Sequence, residues 1–467
     1  MSVLLGENRL EDFQRKVQGC YDKTSVSSIQ THANKLVNKS IRLSYHTLIS
    51  NVKCNQKNKG LLGQLVELYH FGTLPNNKQK ADFYEAGLEL KVTGLLNNKA
   101  KERLVLTVID YFEIINQSFS DFLLKSAKIL IIVYQYNKVQ RFEDMKFLFT
   151  HLMILEKLQE KDKIIIMEDW KKIVSKIKNG KAHELASGDT LYLRADTKGK
   201  NAIANMRKQP FSDTLARQRA FCFKDSFVTQ ILTPNKSFQD VISISELKRN
   251  TFEEIIDNKI SKYYGIPSSK LYEKFQVKPS KQNHYILAKA ILGLKEDENS
   301  IELKNAGIVM KTIGYNEKGK NDQHMSFPNI DYISIDAEDE WEESKFYEQV
   351  SCKFMFILRQ KTIGNDSIIK KIKFYNLNLN ELNECKLVWE HTKKNIQNNI
   401  YDEFILYESN SPVDKKRQRN IVAHVRPKSS KNKKTGLYPL MKTPSGGLEQ
   451  KKCFWLNKQF IQNILDE

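Results

Sequence analysis

The sequence lacks the cysteine pattern of a protein stabilised by a zinc cluster or by disulfide bonds. Its six cysteines are dispersed and include no Cys-x-x-Cys pair: Cys20, Cys54, Cys222, Cys352, Cys385 and Cys453. This spacing argues against a zinc cluster and against a disulfide framework. The sequence therefore indicates a protein with reduced thiols.

Signal-peptide and membrane-spanning features are also missing. The start, MSVLLGENRLEDFQ, has neither the basic residues nor the apolar run of a signal peptide. The longest apolar runs, such as ILIIVY at 129–134, are too short to cross a bilayer. We therefore expect a cytoplasmic protein with no membrane partner.

Acidic residues are scarce relative to basic ones. The 467 residues include 75 Lys and Arg against 55 Asp and Glu, a formal net charge of +20. A charge of this size indicates an anionic partner, and no basic amphipathic helix or lipidation signal directs it to a membrane. DNA or RNA is the expected partner; a generally lysine-rich composition is the simpler alternative.

Two segments of the chain resemble each other. ADFYEAGLELKVTG at 81–94 aligns with IELKNAGIVMKTIG at 301–314 through Gly87 and Gly307. Other phrases recur in the same order, including helical patterns (61–72 and 285–294), β-type runs (128–136 and 353–358), Trp-bearing helices (168–180 and 387–399) and closing phrases (221–232 and 454–465). Ordered recurrence over this length predicts a duplicated domain, in a chain too long for one hydrophobic core.

The turn-rich stretch TPNKSFQDVISIS at 233–245 marks the boundary between the two copies. We predict an N-terminal catalytic domain over 1–235, a linker over 236–245 and a C-terminal domain over 246–467. Strand and helix patterns mix within each copy. The predicted fold class is therefore α/β (mixed α+β), with a mixed sheet flanked by helices in each domain.

The first copy carries a constellation typical of phosphodiester hydrolysis. Glu89 and Lys91 lie two residues apart on a predicted strand and so face the same side. A bend near Gly87 is expected to bring Asp82 beside Glu89, and Glu67 lies on the helical segment just ahead. Two close carboxylates suit Mg²⁺, and a neighbouring lysine can orient the attacking water and stabilise the transition state.

The second copy keeps the lysine but not the acids. Lys311 aligns with Lys91, whereas Val309 replaces Glu89 and Ala288 stands where Glu67 falls. Glu302 aligns with Asp82, but one carboxylate and a lysine make a poor metal site. We predict that the second copy folds alike and does not cut. The acid–x–lysine triplet alone is common on solvated strand faces, which is the simpler reading.

Longer phrases resemble a known family. GLLGQLVE and ADFYEAGLELK resemble the MutH nicking endonucleases of the PD-(D/E)xK fold. A resemblance to the tandem restriction endonucleases of the Sau3AI type covers most of the chain, including KERLVL (101–106), LYLRADTKGKNA (191–202), HMSF (324–327) and HVRP (424–427). It implies two tandem MutH-like domains, the second of them a DNA-binding or allosteric domain.

The resemblance also implies roles for individual residues. The metal-binding carboxylates correspond to Asp82 and Glu89, the catalytic lysine to Lys91 and a supporting helix acid to Glu67. DNA-contacting positions correspond to Lys125 and to loop residues Arg194, Lys198, Lys200 and Asn201, with Arg426 and Lys428 in the second copy. The first loop reads RADTK where MutH-like proteins tend to have RPK, a tripeptide found intact at 426–428.

The resemblance implies a type II restriction endonuclease that requires Mg²⁺ and cuts double-stranded DNA at 5′-GATC. Its C-terminal copy would bind a second DNA site. We expect a monomer in solution, with dimerisation on two-site DNA left open, and a cognate methyltransferase that shares the site without needing to bind. Two alternatives stay open: a MutH-like strand-nicking repair endonuclease, and a non-cleaving sequence-specific DNA-binding regulator.

Overall fold

A computed structural model describes residues 19–42, 61–73, 81–125, 127–137, 141, 144–199, 204–235, 237–278, 283–364, 366–407, 419–428 and 438–467. These residues belong to two compact units. The first contains the described parts of Met1–Ala182, Tyr192–Lys198 and Asn205–Lys236. The second contains those of His183–Leu191, Gly199–Ala204 and Ser237–Glu467. Within the described ranges, no helix is long and apolar enough to cross a membrane.

The first unit mixes strands and helices along the chain. Its elements are α1 (Val26–Asn34), α2 (Leu61–Leu65) continued by a π-helical turn (Val66–His70), β1 (Leu88–Leu96), β2 (Lys99–Ala100), β3 (Leu104–Val108), α3 (Tyr111–Ile114), α4 (Phe119–Lys125), β4 (Lys128–Gln135), β5 (Phe147–Ile154), α5 (Glu160–Lys178), β6 (Leu193–Thr197), β7 (Met206–Gln209), β8 (Ser212–Arg217), β9 (Arg219–Phe223) and α6 (Asp225–Leu232).

Two sheets and a hairpin organise these strands. One sheet has the order β2-β1-β4-β5, in which only β1 and β4 are parallel. The other has the antiparallel order β3-β9-β6, and β7 pairs with β8. Strand β4 lies inside the first sheet, and its residues Ile129–Val133 are buried. An unbroken apolar run suits a strand covered on both faces, which explains why ILIIVY predicted this strand correctly.

Helix α5 shows how the sequence specifies a long element. Acidic residues occupy its first turn and lysines its last, which complements the helix dipole. Ile166, Trp170, Ile173 and Ile177 recur at helical spacing and are buried. Trp170 is therefore a core residue.

The second unit also mixes strands and helices along the chain. They are β10 (Phe238–Gln239), α7 (Ile244–Leu247), α8 (Phe252–Ser261), α9 (Ser268–Lys274), α10 (Asn283–Ile291), β11 (Asn299–Ser300), α11 (Ile301–Asn305), β12 (Val309–Tyr315), β13 (Met325–Asn329), α12 (Tyr332–Asp336), α13 (Lys345–Val350), β14 (Phe354–Lys361), β15 (Ser367–Tyr375), α14 (Leu379–Gln397), β16 (Leu406–Tyr407), β17 (Arg419–Asn420), β18 (Ala423–Pro427), β19 (Leu440–Lys442), β20 (Leu448–Gln450), β21 (Lys452–Leu456) and α15 (Lys458–Asp466).

The two main sheets of the second unit share their central strand order with those of the first, although β2 has no counterpart among the described residues. Strands β12, β14 and β15 pair as β1, β4 and β5 do, with a parallel first pair and an antiparallel second pair. The sheet β13-β21-β18 has the order and antiparallel pairing of β3-β9-β6. Trp389 on α14 is buried like Trp170 on α5, and both helices span 19 residues. The mixed α/β fold class is confirmed, and the internal repeat appears as a repeated topology.

Candidate active site

A tight bend precedes strand β1 and carries the first acid. Phe83 and Leu88 exchange backbone hydrogen bonds of 3.0 and 3.1 Å, which closes the bend. Gly87 adopts a φ of +60° within it, a conformation that other residues adopt at an energetic cost. The bend turns the chain back so that Asp82 lies beside the strand that follows.

A hydrogen bond fixes Asp82 at the centre of the acid–x–lysine triplet. The backbone N–H of Leu90 donates to Oδ2 of Asp82 over 2.9 Å. Leu90 separates Glu89 from Lys91, whose Nζ lies 2.6 Å from Oε1 of Glu89. The structure therefore brings Asp82, Glu89 and Lys91 together, at the end of β1 that pairs with the start of β4.

Glu67 lies in the π-helical turn Val66–His70 that extends α2. In this turn the N–H of Phe71 donates to the carbonyl of Val66, and Thr73 donates to the carbonyl of Glu67. Single π-turns are rare and recur at functional sites because they redirect side chains. Glu67 is close enough to the other three residues for its ionisation to respond to each of their charges.

A pair of histidines that the sequence did not reveal holds this turn against α1. Nε2 of His32 lies 2.8 Å from the carbonyl oxygen of His70, and Nε2 of His70 lies 2.9 Å from that of His32. Their ring centroids are 4.4 Å apart. Burial lowers the pKa of both imidazoles, to about 4 for His70, so the pair is neutral at neutral pH. This reciprocal contact fixes the turn that carries Glu67.

The pKa values of two of these acids, Glu67 and Asp82, are raised. Burial, followed by the charge of Asp82, raises the pKa of Glu67 to about 7, and Lys91 only partly offsets this. Burial and the charge of Glu89 raise the pKa of Asp82, against the hydrogen bond from Leu90. Three carboxylates thus share a half-buried space with one lysine. Such a site gains stability from an added cation.

The donor set fits a hard divalent ion that keeps several waters. Within the described ranges, no three Asp, Glu, His or Cys side chains converge closely enough to form a complete protein cage for a metal. Mg²⁺ does not require one, because it usually binds through one or two carboxylates plus water and substrate phosphate. Asp82 and Glu89 are the two carboxylates that would supply those oxygens.

We expect Mg²⁺ to bind more tightly as the pH rises. Deprotonation of Glu67 near pH 7 adds negative charge to the site, so the half-saturating Mg²⁺ concentration should fall by about tenfold between about pH 6 and about pH 8. Glu67→Gln should flatten this dependence, whereas the exposed Glu85→Gln should preserve it. Mg²⁺ titrations of cleavage at each pH measure the effect; identical profiles for wild type and Glu67→Gln would contradict it.

The same raised pKa links metal-free stability to pH. The folded chain holds the Glu67 proton more tightly than the unfolded chain does, whose carboxyl has an ordinary pKa near 4.5. This contribution to stability is complete below that value and is lost as the pH rises through about 7.

Arg194 belongs to a buried charge cluster. Oδ1 of Asp196 accepts a hydrogen bond from Nε of Arg194, and Oδ2 of Asp196 lies 2.6 Å from Nε of Arg103. Burial opposes ionisation of Asp196, but the charges of Arg194, Arg103 and Arg219 together lower its pKa. Arg219 donates to the carbonyl of Ala195 over 2.7 Å. In the structure Arg194 thus packs within strand β6, with 17% of its side chain exposed.

The strand register changes which residues correspond between the loop after β6 and the loop after β18. Matching RADTK with RPK by residue type would pair Arg194 with Arg426. Ala220 lies opposite Asp196 in β9-β6, and Cys453 lies opposite Arg426 in β21-β18. Aligning Phe227 with Phe460 also aligns Ala220 with Cys453. The position of Arg426 is therefore held by Asp196 in the first copy. The same register matches Arg194 with His424 and Arg103 with His324.

Removing the Asp196 carboxylate should destabilise the first unit. Asp196→Asn leaves the partly buried arginines Arg194 and Arg103 without their buried counterion, and breaking a buried ion pair typically costs about 3–5 kcal/mol. For a domain of this size that corresponds to a fall in Tm on the order of 10 °C. Asp213→Asn, at an exposed strand position, is the matched control. Thermal unfolding followed by circular dichroism tests this; equal Tm values for the two variants would rule it out.

The other predicted DNA-contacting residues differ in how they are placed. Lys198 follows β6 and is half-buried, and Lys428 follows β18 and is exposed. The guanidinium of Arg426 lies 4.2 Å from the ring centroid of Trp455, a cation–π contact. Lys200, Asn201 and the side chain of Lys125 lie outside the described residues.

Comparison with known proteins points to nucleases. The family model of the DNA mismatch repair enzyme MutH matches residues 71–169. The type II restriction enzyme Sau3AI of Staphylococcus aureus is 31% identical over 449 residues, which cover 88% of this chain and 89% of that enzyme. The DNA mismatch repair protein MutH of Shewanella sp. (strain MR-7) is 24% identical over 219 residues, covering 46% of this chain and 96% of that protein.

Proposed function

Because the chain belongs to the Sau3AI-type family of type II restriction enzymes, which are site-specific deoxyribonucleases, we propose that it hydrolyses double-stranded DNA in a Mg²⁺-dependent reaction at 5′-GATC. The N-terminal copy, 1–235, carries the active centre. The C-terminal copy, 246–467, binds a second DNA site. The protein acts in the cytoplasm, where unmethylated foreign DNA is its substrate.

One observation carries the proposal for the active centre. The Leu90 N–H holds Asp82 between Glu89 and Lys91, so that two carboxylates and an ammonium group share one side of a strand. This arrangement supports a site in which Asp82 and Glu89 hold the metal ion. A solvated strand face would not need the bend, the partly buried hydrogen bond or the coupling to Glu67.

Each residue has a role that follows from its chemistry. A Mg²⁺ ion held by Asp82 and Glu89 would polarise the phosphoryl oxygen and acidify a bound water. Lys91 orients the attacking water and offsets negative charge that develops on the phosphorus oxygens. Glu67, with a pKa of about 7, is suited to exchange a proton with water at this site.

The sequence preference rests on the family resemblance and on the second loop. Arg426 and Lys428 belong to the RPK tripeptide that MutH-like proteins tend to have, and arginine and lysine recognise guanine edges or phosphates. In the first loop Asp196 neutralises Arg194, so Lys198 and the residues after it become the main candidates for base contact there. A methyltransferase acting on the same site would protect host DNA without binding this chain.

Plasmid digestion tests the proposed function directly. GATC-containing plasmid is incubated with Mg²⁺ in unmethylated, adenine-methylated and cytosine-methylated forms, with EDTA as the control. We expect discrete fragments that map to unmethylated GATC and no cleavage in EDTA. Fragments at other sites would refute the sequence preference, nicked circles alone would favour the repair nickase, and intact DNA that shifts on a gel would favour a regulator.

Two-site plasmids should be cut faster than one-site plasmids of matched length. One active centre cannot cut both strands at once, so the monomer must nick sequentially or pair with another monomer on DNA. A second bound site raises the local concentration of substrate and enzyme without any new contact. Initial rates on the two plasmids measure this, and equal rates would exclude a role for the second copy in cleavage.

A further inference from the structure

A hairpin of the first unit presents an aromatic tip to solvent. Strands β7 and β8 pair antiparallel and are joined by the turn Pro210–Phe211. The Phe211 side chain is 74% exposed, although phenylalanine is among the residue types most often buried. Arg207 and Lys208 on β7 are exposed as well. The hairpin therefore combines positive charge with an exposed aromatic ring.

The backbone at this tip adopts a costly conformation. Phe211 has a φ of +61°, which glycine adopts freely and a bulky residue does not. Aligning Ala220 with Cys453 matches this hairpin with β19–β20 of the second unit, whose turn uses Gly446 at a φ of +87°. The turn itself does not require an aromatic residue. The Phe211 ring therefore serves something other than the fold of the hairpin.

The hairpin is held against the end of α5. The carbonyl oxygen of Phe211 approaches Gly180 so closely that a Cβ at that position would lie 2.5 Å from it. Gln209 is buried, where its Oε1 accepts from the N–H of Ala182 over 2.7 Å and its Nε2 donates to the carbonyl of Thr214 over 2.5 Å. These contacts fix the backbone beneath the exposed ring, and a preorganised surface loses less entropy when it binds a partner.

The base of the hairpin adjoins the loop that we expect to contact DNA. The N–H of Lys198, where that loop begins, donates to the carbonyl of Gln218 over 2.8 Å. The N–H of Gln218 donates in turn to the carbonyl of Asn205, just before β7, over 2.7 Å. From there the four residues of β7 extend about 13 Å towards the tip. A duplex that contacts Lys198 would therefore lie within reach of the hairpin.

We propose that the β7–β8 hairpin is a DNA-contacting arm that binds the duplex beside the sequence that is cut. Phe211 packs as an apolar wedge against flanking base pairs, while Arg207 and Lys208 bind backbone phosphates. Phenylalanine is one of the side chains that proteins insert between base steps, and a two-stranded ribbon is narrow enough to enter a DNA groove. This inference rests on the proposed cleavage of duplex DNA by the first unit.

The test compares wild type with Phe211→Gly on two GATC duplexes in EDTA. One duplex has long flanks, and the other ends close to the site. Phe211→Gly removes the ring and suits the left-handed backbone, so its Tm should equal or exceed that of wild type. Phe112→Ala, at a position 52% exposed on α3 of the same unit, is the matched control. Phe211→Tyr keeps the ring and should restore wild-type binding.

We expect Phe211→Gly to bind the long duplex about tenfold more weakly, as for one lost stack of an aromatic ring on a base, and to bind the short duplex normally. The fluorescent base 2-aminopurine, placed in turn at each flanking position, should brighten at one position with wild type and at none with Phe211→Gly.

The charge of the arm has its own readout. Lys208→Met should reduce the salt slope of binding to the long duplex by about 0.9, as for one lost phosphate contact. Lys171→Met, on the exposed face of α5, should leave the slope unchanged.

Equal affinity of wild type and Phe211→Gly for the long duplex would overturn this inference alone, since wild-type cleavage of GATC plasmid tests the proposed function separately. A lower Tm for Phe211→Gly would give the ring a structural role and would also overturn it. Reduced self-association of that variant with unchanged DNA binding would assign the tip to a protein contact instead. A wild-type chain that binds neither duplex would overturn the proposed function as well.

Discussion

Lys91→Ala is expected to abolish DNA cleavage while the protein still binds duplex DNA in EDTA. Lys91 is the only cation of the four-residue centre, with Nζ 2.6 Å from Glu89 Oε1. Loss of one preorganised electrostatic contact to a developing charge typically costs about 10²–10³-fold in rate. We expect at least that loss, because the remaining three acids would then face the scissile phosphate without any lysine.

The control for this variant is Lys99→Ala, which removes an exposed lysine from β2 of the same sheet. It should retain the wild-type rate. Single-turnover cleavage of a one-site duplex and anisotropy in EDTA separate chemistry from binding. A Lys91→Ala rate within tenfold of wild type would assign the catalysis elsewhere.

Asp82→Asn should remove Mg²⁺-dependent cleavage to a similar extent, for a different reason. The asparagine oxygen can still accept the 2.9 Å hydrogen bond from Leu90, so the bend is expected to remain folded. The change removes one of two carboxylates available to the metal, and Mg²⁺ binds neutral amide oxygens weakly compared with carboxylates. The exposed Glu85→Gln in the same bend should remain active.

This variant also has a readout that does not depend on activity. The charge of Asp82 contributes to the raised pKa of Glu67, so Asp82→Asn should bring that pKa down from about 7. Carbon-13 NMR titration of the Glu carboxyls in metal-free protein measures the change directly. An unshifted Glu67 resonance would show that the two side chains are not neighbours and would remove the basis for the joint site.

Several features were predictable because they depend on local sequence periods. The apolar run ILIIVY predicts a buried strand, and Trp170 with its neighbours predicts a helix, since both patterns reflect burial of nearby residues. The alternation at Glu89 and Lys91 predicts a shared face. The ordered repetition of these patterns was enough to predict the repeated topology of the second unit.

Other features were not predictable from residue type. Matching by type pairs Arg194 with Arg426, but β-sheet register puts Asp196 at the Arg426 position. This register is set by the pairing of β6 with β9 and of β18 with β21, and the paired strands are not consecutive in the chain. The Asp196 cluster and the His32–His70 pair likewise join segments that no local pattern connects.

The sequence by itself determined the chemistry available to this protein: two lysines on repeated strands, acids beside one of them, and an apolar residue beside the other. The alternation of side chains along a strand and the spacing of residues along the chain are local properties, so they can be read from the sequence without knowledge of the fold. Only the tertiary structure decided what surrounds each lysine. Folding places Asp82 and Glu67 near Lys91 and diverts Glu302 to backbone amides. The burial of each lysine and the charges around it depend on contacts between segments that are distant in the chain. This burial and these charges determine the ionisation of the site and the ligand that it prefers.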